Sequence, residues 1–175
     1  LMLDTGMHRL GFELHDLPDL LHLLEEPSIR VSGIFSHLVA SDDPAHDAFT
    51  RQQASLFLEM YETISQKLGY RPPRHLLNTA GIIRFPEYQF EMVRLGIGLY
   101  GIDNSGLLKE DLRPALSLRS HLNQTRLVQP GETVGYNRHG RVDHPTRIGT
   151  VAVGYADGLP RLAGNGRYSL LVRGR

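Results

Sequence analysis

The stretch FEMVRLGIGLYG, residues 90–101, begins with a short, mainly apolar run that ends at Arg94. Glycine-rich sequence follows directly. An apolar run that ends in this way is typical of a strand followed by a tight turn. Gly96 and Gly98 allow the backbone to approach a ligand closely, and unpaired N–H groups at such a turn favour an anion. We expect Arg94 to face the same pocket. The alternative is an arginine at a solvated strand end, so the chemistry of the other strand ends decides the interpretation.

The composition is that of a globular protein with a sizeable core. Of the 175 residues, 41% are hydrophobic and 22% are charged. Basic and acidic residues balance at 19 each, which argues against a nucleic-acid partner. The absence of cysteine excludes disulfides and thiolate metal sites and fits a cytoplasmic protein.

The sequence shows no signal peptide and no apolar run near the ~18–20 residues of a membrane span, so we expect no membrane association. The chain opens on Leu1, and residues 170–175 resemble a strand that is cut in passing. We therefore expect a fragment of a longer protein.

Upstream of the opening stretch, strand-like and helix-like runs alternate. The predicted helices are a leucine-rich one that starts after Asp16 and ends before Pro27, and one over residues 47–68 that ends at Gly69. The predicted strands lie at residues 1–3, which end a strand, and at 29–35, 76–77 and 92–93, with a helical turn at 80–84. Such alternation predicts parallel βαβ units.

Polar residues follow these strands. They are Arg9, His37, Asn78 with Thr79, and Arg94. In a (β/α)8 barrel the active site lies at the carboxyl ends of the strands, which is where these residues fall. Since a whole barrel needs about 250 residues, we predict that residues 1–112 hold about half of an α/β barrel, roughly four of its eight βα units.

After residue 107 the helical periodicity stops and Gly or Pro turns recur. The predicted strands are residues 116–128, 133–136, 147–155 and 168–172. Residues 113–175 are therefore predicted to begin an all-β domain.

Five motifs occur in order along the chain. They are DTGMHRLGF at 4–12, SH at 36–37, LNTAG at 77–81, MVRLGIGLYG at 92–101 and VGYADG at 153–158. Together they resemble the alanine racemases, which are fold-type III pyridoxal 5′-phosphate enzymes. The resemblance implies the second half of a cofactor-binding barrel and the start of the β domain. It also implies interconversion of L- and D-alanine by two-base proton exchange at an external aldimine, which supplies D-alanine for peptidoglycan.

The resemblance assigns catalytic roles to three residues. Arg94 matches the arginine on the pyridine nitrogen of the cofactor; an arginine donates a hydrogen bond there but gives up no proton, so the ring becomes a poor electron sink. His37 matches the histidine that links this arginine to the catalytic tyrosine, although a lone histidine is otherwise a satisfied structural residue. Tyr155 matches that tyrosine, which enters the partner's active site in a head-to-tail homodimer.

The resemblance also implies binding residues. Asn78 and Thr79, with the backbone of Gly96 and Ile97, match the phosphate site; otherwise Asn78 and Thr79 are a helix cap. Arg9 matches a residue that contacts the phenolic oxygen of the cofactor and the carboxylate of the substrate, the alternative being a surface arginine. No metal is expected, because the histidines are irregularly spaced in loops.

Two positions depart from the family. Its Schiff-base lysine lies on an early strand that this chain lacks, and neither Lys67 nor Lys109 is expected to replace it. We therefore expect the isolated chain to be inactive. Met2 stands where many relatives carry a carbamylated lysine that positions Arg9, which leaves the orientation of Arg9 open.

Three other functions remain alternatives. A fold-type III amino-acid decarboxylase shares the barrel and β domain, but its pyridine partner is normally acidic, which argues against it. A racemase with serine or broader specificity stays open, because the residues that close the substrate pocket are expected outside this chain. A non-catalytic pyridoxal phosphate carrier is a barrel alone, and the β domain with Tyr155 argues against it.

Overall fold

The computed structural model describes residues 1–108 and 111–172. The chain divides into two compact units, Leu1–Leu116 and Ser117–Arg175. The predicted boundary between 112 and 113 falls shortly before this division, and the assignment of the two segments to a barrel half and a β domain stays a prediction. Lys109 and the last three residues of the cut strand predicted at 170–175 lie outside the described residues.

Among its described residues, the first unit contains three α-helices: α1 (Leu17–Leu23), α2 (Asp47–Leu68) and α3 (Thr79–Arg84). α2 has its predicted bounds, and it ends at Gly69, whose φ of 70° lies in the left-handed region. Asp16 precedes α1 but makes no side-chain cap; its carboxylate accepts the backbone N–H of Glu13 instead. Short 3-10 turns occupy Leu14–Asp16, Pro44–His46, Pro86–Tyr88 and Ile97–Tyr100.

Parallel pairing joins four segments of the first unit in chain order. β1 (Ile34–Phe35) pairs with β2 (Arg74–His75), Met2 forms a parallel bridge to Phe35, and Met92 forms one to His75. β1 is shorter than the strand predicted at 29–35. β2 has the predicted length but lies two residues before the strand predicted at 76–77, and the fully buried Leu76 and Leu77 follow it. The parallel connection from β1 through α2 to β2 agrees with the predicted βαβ pattern.

The core of the first unit lies between these strands and α2. Its fully buried side chains include Leu3, Ile34, Phe57, Met60, Ile64, Leu76 and Leu77. Phe49, which the helical pattern predicts to be buried, is 36% exposed. The core thus packs α2 against the strands. Because the strands are parallel, the residues that follow them lie at the same edge, the one formed by the carboxyl ends.

The second unit is built from antiparallel pairs. β3 (Leu122–Val128) pairs with β6 (Thr146–Val151), and β4 (Thr133–Val134) pairs with β5 (Gly140–Arg141). The predicted strand at 168–172 is wrong, since no strand is described there, and the two-residue strand β5 was not predicted. Within the described ranges, no helix combines the length and the apolar character needed to cross a bilayer.

Candidate active site

The guanidinium of Arg94 is bound at the ends of two strands. Its Nη1 donates to Nδ1 of His75 at 2.6 Å and to the carbonyl of His75 at 2.8 Å. Its Nη2 donates to the carbonyls of Ser36 at 2.5 Å and Leu76 at 3.1 Å. The backbone N–H of Arg94 donates to Leu77. Arg94 is therefore a half-buried residue held by the strand ends, and the solvated strand-end interpretation is wrong.

Two imidazoles flank this guanidinium. Nδ1 of His37 lies 3.3 Å from Nη2 of Arg94, and Nδ1 of His75 lies 2.6 Å from Nη1. Because an arginine only donates, both Nδ1 atoms accept and each ring carries its proton on Nε2. Burial and then the charge of Arg94 lower the pKa of both histidines, and the charge of Arg9 lowers that of His37 further. Both rings are thus held in the neutral form.

The ring of Phe35 packs against this cluster. It stacks on His75 with ring centroids 4.7 Å apart and an interplanar angle of 8°, and Cζ of Arg94 lies 5.3 Å from its centroid. A guanidinium and an imidazole that pack against the same aromatic ring lose orientational freedom. The cluster is consequently preorganised.

Arg94 keeps one donor free. Its Nε–H makes no hydrogen bond to the described residues, and no carboxylate among them lies within ion-pair distance. Burial lowers the pKa of Arg94, but the guanidinium remains protonated in any protein. The site therefore offers a fixed cation with a donor for a neutral acceptor such as a ring nitrogen.

A second cluster forms around Thr79, at the start of α3. Its Oγ1 accepts the backbone N–H groups of Gly96 and Gly98, both at 3.1 Å. A Cβ on Gly98 would lie 2.7 Å from Cγ2 of Thr79, so only glycine permits this approach. The Thr79 hydroxyl proton and the Ile97 N–H have no acceptor within the described residues. These donors suit the oxygens of a phosphate.

Asn78 is committed to structural contacts. Its Oδ1 accepts from the backbone N–H of Gly81 at 2.9 Å and from Oγ of Ser41 at 2.8 Å, and its Nδ2 donates to the carbonyl of Leu38 at 3.3 Å. These contacts make Asn78 the cap of α3, as the alternative interpretation expects. Direct contact of Asn78 with a phosphate stays a prediction.

Arg9 lies on a loop that a buried carboxylate organises. Asp4 is 6% exposed and accepts the backbone N–H of each residue from 6 to 9. Burial by itself raises the pKa of Asp4, but these backbone hydrogen bonds bring it below its usual range. The side chain of Arg9 is exposed and has no hydrogen-bond partner among the described residues. Its cationic group is therefore available to a ligand.

The described lysine does not serve this site. Nζ of Lys67 pairs with the carboxylate of Glu25, near the carboxyl end of α2. Met2 forms its backbone bridge to Phe35, and its thioether is no counterpart for the charge of Arg9. In the described part of the chain, no group of three His, Asp or Glu residues is arranged to hold a metal ion.

Tyr155 belongs to the second unit. It begins the 3-10 turn Tyr155–Asp157, in which the carboxylate of Asp157 accepts the N–H of Gly154 at 2.9 Å and Gly158 ends the turn with a φ of 86°. The phenol is 72% exposed and has no hydrogen-bond partner among the described residues of its unit. This turn therefore presents the tyrosine outward.

Sequence reasoning missed His75. The residue is the last of β2, directly before the apolar pair at 76–77 that is predicted as the strand. One signal could have found it. His75 directly precedes the apolar pair at 76–77, and Arg94 follows the next predicted strand, at 92–93. That signal is weak, because most strand histidines are structural.

Comparisons with known proteins agree along the whole chain. The family model "Alanine racemase, N-terminal domain" matches residues 1–104, and "Alanine racemase, C-terminal domain" matches residues 115–175. An alanine racemase from Syntrophobacter fumaroxidans is 40% identical over 175 residues, which cover 98% of this chain and 46% of the relative.

Solved structures give the same result. Alanine racemase from the D-cycloserine producer Streptomyces lavendulae matches with a TM-score of 0.88 and 32% identity, over 100% of this chain and 47% of that chain. Alanine racemase from Bartonella henselae, with covalently bound pyridoxal phosphate, matches with a TM-score of 0.67 and 28% identity, over 93% and 44%. The chain thus spans about half the length of these relatives. Matched in both of its units to one enzyme family, the chain belongs to the alanine racemases.

Proposed function

We propose that the protein containing this chain is a pyridoxal phosphate-dependent alanine racemase that interconverts L- and D-alanine. Family membership supports the reaction, and the relative with covalently bound pyridoxal phosphate supports the cofactor. The observation that carries the proposal is the Arg94 cluster, in which a fixed guanidinium between two neutral imidazoles keeps its Nε–H free.

The residues of the first unit fit this cofactor at two points. The free donor of Arg94 suits the pyridine nitrogen, and the Thr79 hydroxyl with the Ile97 N–H suits the phosphate. When bound, pyridoxal phosphate acidifies the Cα proton of the amino acid by withdrawing electrons from it. The chain then has to hold the ring, orient the substrate and move one proton.

Arg94 limits how far electrons are withdrawn. It donates a hydrogen bond to the pyridine nitrogen and keeps its own proton, so the ring nitrogen stays unprotonated. A weak electron sink favours prompt return of the proton to Cα over side reactions. A carboxylate at this position would hold a proton on the nitrogen, and this difference is our reason for preferring a racemase over a decarboxylase.

His37 and Tyr155 form the proposed proton path on one face of the substrate. Since Nδ1 of His37 accepts from Arg94, its Nε2–H is a donor, and we assign it to the phenolic oxygen of the partner subunit's tyrosine. A tyrosine acts as a base near neutral pH only where cations and hydrogen bonds stabilise its phenolate. Tyr155 would take the Cα proton from one face, and the Schiff-base lysine, expected upstream of this chain, would return a proton to the other.

Arg9 is proposed to bind the substrate carboxylate and the phenolic oxygen of the cofactor. Its exposed guanidinium lies on the loop that Asp4 fixes, and a planar cation suits both acceptors. With Met2 in place of a carbamylated lysine, Arg9 has no anionic guide at that position. We infer that the Asp4 loop alone sets its direction.

The remaining features of the proposal concern the whole protein. We propose that the first unit forms half of a (β/α)8 barrel, that two subunits pair head to tail with shared active sites, and that the enzyme is cytoplasmic and supplies D-alanine for peptidoglycan. The parallel order of the four strand segments supports the barrel. Serine or broader racemisation remains the second candidate for its specificity.

The proposal is tested on the complete protein. It is incubated with L-alanine or D-alanine, with and without pyridoxal phosphate, and both enantiomers are quantified by chiral chromatography. We expect both starting enantiomers to reach the same near-equal mixture, only with the cofactor. Release of carbon dioxide would favour the decarboxylase, and equal rates with L-serine would favour the broader racemase. No turnover of any amino acid by a protein that binds the cofactor would favour the carrier.

A further inference from the structure

Residues 36–39 follow β1 and are held by side chains from other elements. The carbonyl of Ser36 accepts from Nη2 of Arg94 at 2.5 Å, and the carbonyl of Leu38 accepts from Nδ2 of Asn78 at 3.3 Å. This segment carries His37, whose imidazole has to meet Arg94 on one side. The position of the segment 36–39 therefore depends on side chains from other elements.

A third side chain holds the segment on both sides of His37. Oε1 of Gln53 accepts the backbone N–H of Val39 at 3.0 Å, and Nε2 of Gln53 donates to the carbonyl of His37 at 3.2 Å. The same Nε2 lies 3.4 Å from Oγ1 of Thr5, which is hydrogen-bonded to Oγ of Ser36 at 2.8 Å. Gln53 thus joins the strand end to the loop that carries Arg9.

Gln53 is fully buried on the core face of α2, near Ala54 and Phe57, which are also fully buried. Burying a carboxamide in an apolar core is costly unless its polar atoms are bonded. Here both of them are: Oε1 bonds to Val39 and Nε2 to His37, so the amide holds the segment 36–39 rather than α2 itself. The stability of α2 alone therefore does not explain why residue 53 carries a carboxamide.

We propose that Gln53 is a positioning residue of the active site, which fixes His37 against Arg94 and links it to the loop of Arg9. The inference rests on the proposed racemase function, and it adds a residue that does not touch the reacting atoms. Without the amide, the backbone at His37 and Val39 loses two bonds, and the imidazole can move away from Arg94.

The experiment compares two variants of the complete protein. Gln53→Met removes the carboxamide at nearly the same length. The matched control is Thr50→Val, one turn earlier on α2: Thr50 is fully buried, and its hydroxyl has no partner among the described residues. Each variant is measured by the melting temperature, by an NMR titration of the His37 imidazole without cofactor, and by kcat and KM for alanine.

The groups that face His37 with charge are Arg94 and Arg9, both cations that lower its pKa. In Gln53→Met we expect the pKa of His37 to rise toward its ordinary value and kcat to fall about tenfold, the equivalent of one lost hydrogen bond. KM is expected to change much less. Thr50→Val should change neither the titration nor kcat.

A Gln53→Met protein that melts earlier but keeps the wild-type His37 titration and kcat would overturn the proposal and make Gln53 merely structural. If Gln53→Met does not fold, the same measurements are made on Gln53→Leu, and the hydrogen exchange of the Val39 amide is measured in the wild type. A rapidly exchanging Val39 amide would overturn the proposal. A protected amide supports it. An inactive wild type refutes the racemase function instead, while the cofactor-free titration still tests Gln53.

Discussion

Nη1 of Arg94 donates to Nδ1 of His75 at 2.6 Å, and this contact defines the protonation state of the imidazole. A guanidinium has no lone pair to offer, so a protonated Nδ1 would set two donors against each other. Burial and the charge of Arg94 accordingly lower the pKa of His75 below its ordinary value of 6.5. The neutral ring is therefore a condition of the folded site.

Stability should consequently fall as the pH drops below about 6.5, because the unfolded state then binds a proton that the folded state resists. The loss continues until His75 is protonated in the folded protein as well. His75→Phe keeps a ring to stack on Phe35 and removes this titration. We expect a shallower loss of unfolding free energy between pH 6.5 and 5, and a cost of about 1–2 kcal/mol near pH 8 from the lost acceptor.

Urea unfolding across this pH range measures the effect, with His22→Gln as the control, an exposed histidine of α1. If His75→Phe and wild type show parallel pH profiles, the neutral-imidazole account of the cluster is wrong.

Glu91 should stabilise the strand order through Arg74. Its carboxylate accepts the backbone N–H of Arg74 at 2.7 Å and Nη2 at 2.6 Å, and the side-chain hydrogen bonds from Arg74 help to lower the pKa of Glu91 to about 2. This stabilisation is present above pH 4.5 and is lost as the pH falls toward 2. Because the carboxylate is partly exposed, we expect Glu91→Gln to cost only about 1 kcal/mol at neutral pH.

Glu62→Gln is the control for Glu91, since Glu62 forms a two-bond pair with Arg71 that lacks a backbone donor. Glu62→Gln should lower the free energy of unfolding by less than Glu91→Gln does. Equal and negligible effects in thermal unfolding would show that the backbone bond of Arg74 adds nothing.

Thr79 is expected to determine cofactor affinity. Thr79→Val keeps the shape but removes the acceptor of two glycine N–H groups and the hydroxyl donor, whereas Thr79→Ser keeps both. In the complete protein we predict about tenfold weaker binding of pyridoxal phosphate for Thr79→Val, from roughly one lost hydrogen bond. Absorbance titration measures the affinity; identical affinities of the two variants would remove Thr79 from the phosphate site.

Tyr155 is predicted to act across the dimer. Tyr155→Phe and a variant of the upstream Schiff-base lysine should each be inactive in the full-length enzyme. Mixed and refolded together, they should form hybrid dimers with one intact site and recover part of the activity. Hybrid dimers that form, as shown by differently tagged subunits, but remain inactive would mean that each site is complete within one subunit.

The sequence predicted those features that local chemistry determines. The bounds of α2 follow from its apolar stripe and from Gly69, and the joining of Arg94, His37 and Thr79 to the strand ends follows from parallel βα units. The strand bounds could not be predicted, because β1 holds only two residues of the run predicted at 29–35, and the buried pair at 76–77 follows β2 instead of forming it.

Long-range side-chain contacts were the other part that the sequence could not supply. Gln53 is one of several glutamines on α2, and nothing in its helical position indicates that its amide reaches the residues around His37. His75 is similar, since its bond to Arg94 depends on the pairing of strands. Such contacts depend on how separate elements pack.

The central claim is that Arg94 donates to the ring nitrogen of pyridoxal phosphate without giving up its proton. The most direct test is the 15N chemical shift of ring-labelled cofactor bound to the complete protein. The account predicts the shift of an unprotonated, hydrogen-bonded pyridine in the wild type, and a changed shift in Arg94→Lys, which loses the guanidinium fork. A protonated pyridinium in the wild type, or a shift that Arg94→Lys leaves unchanged, would contradict it.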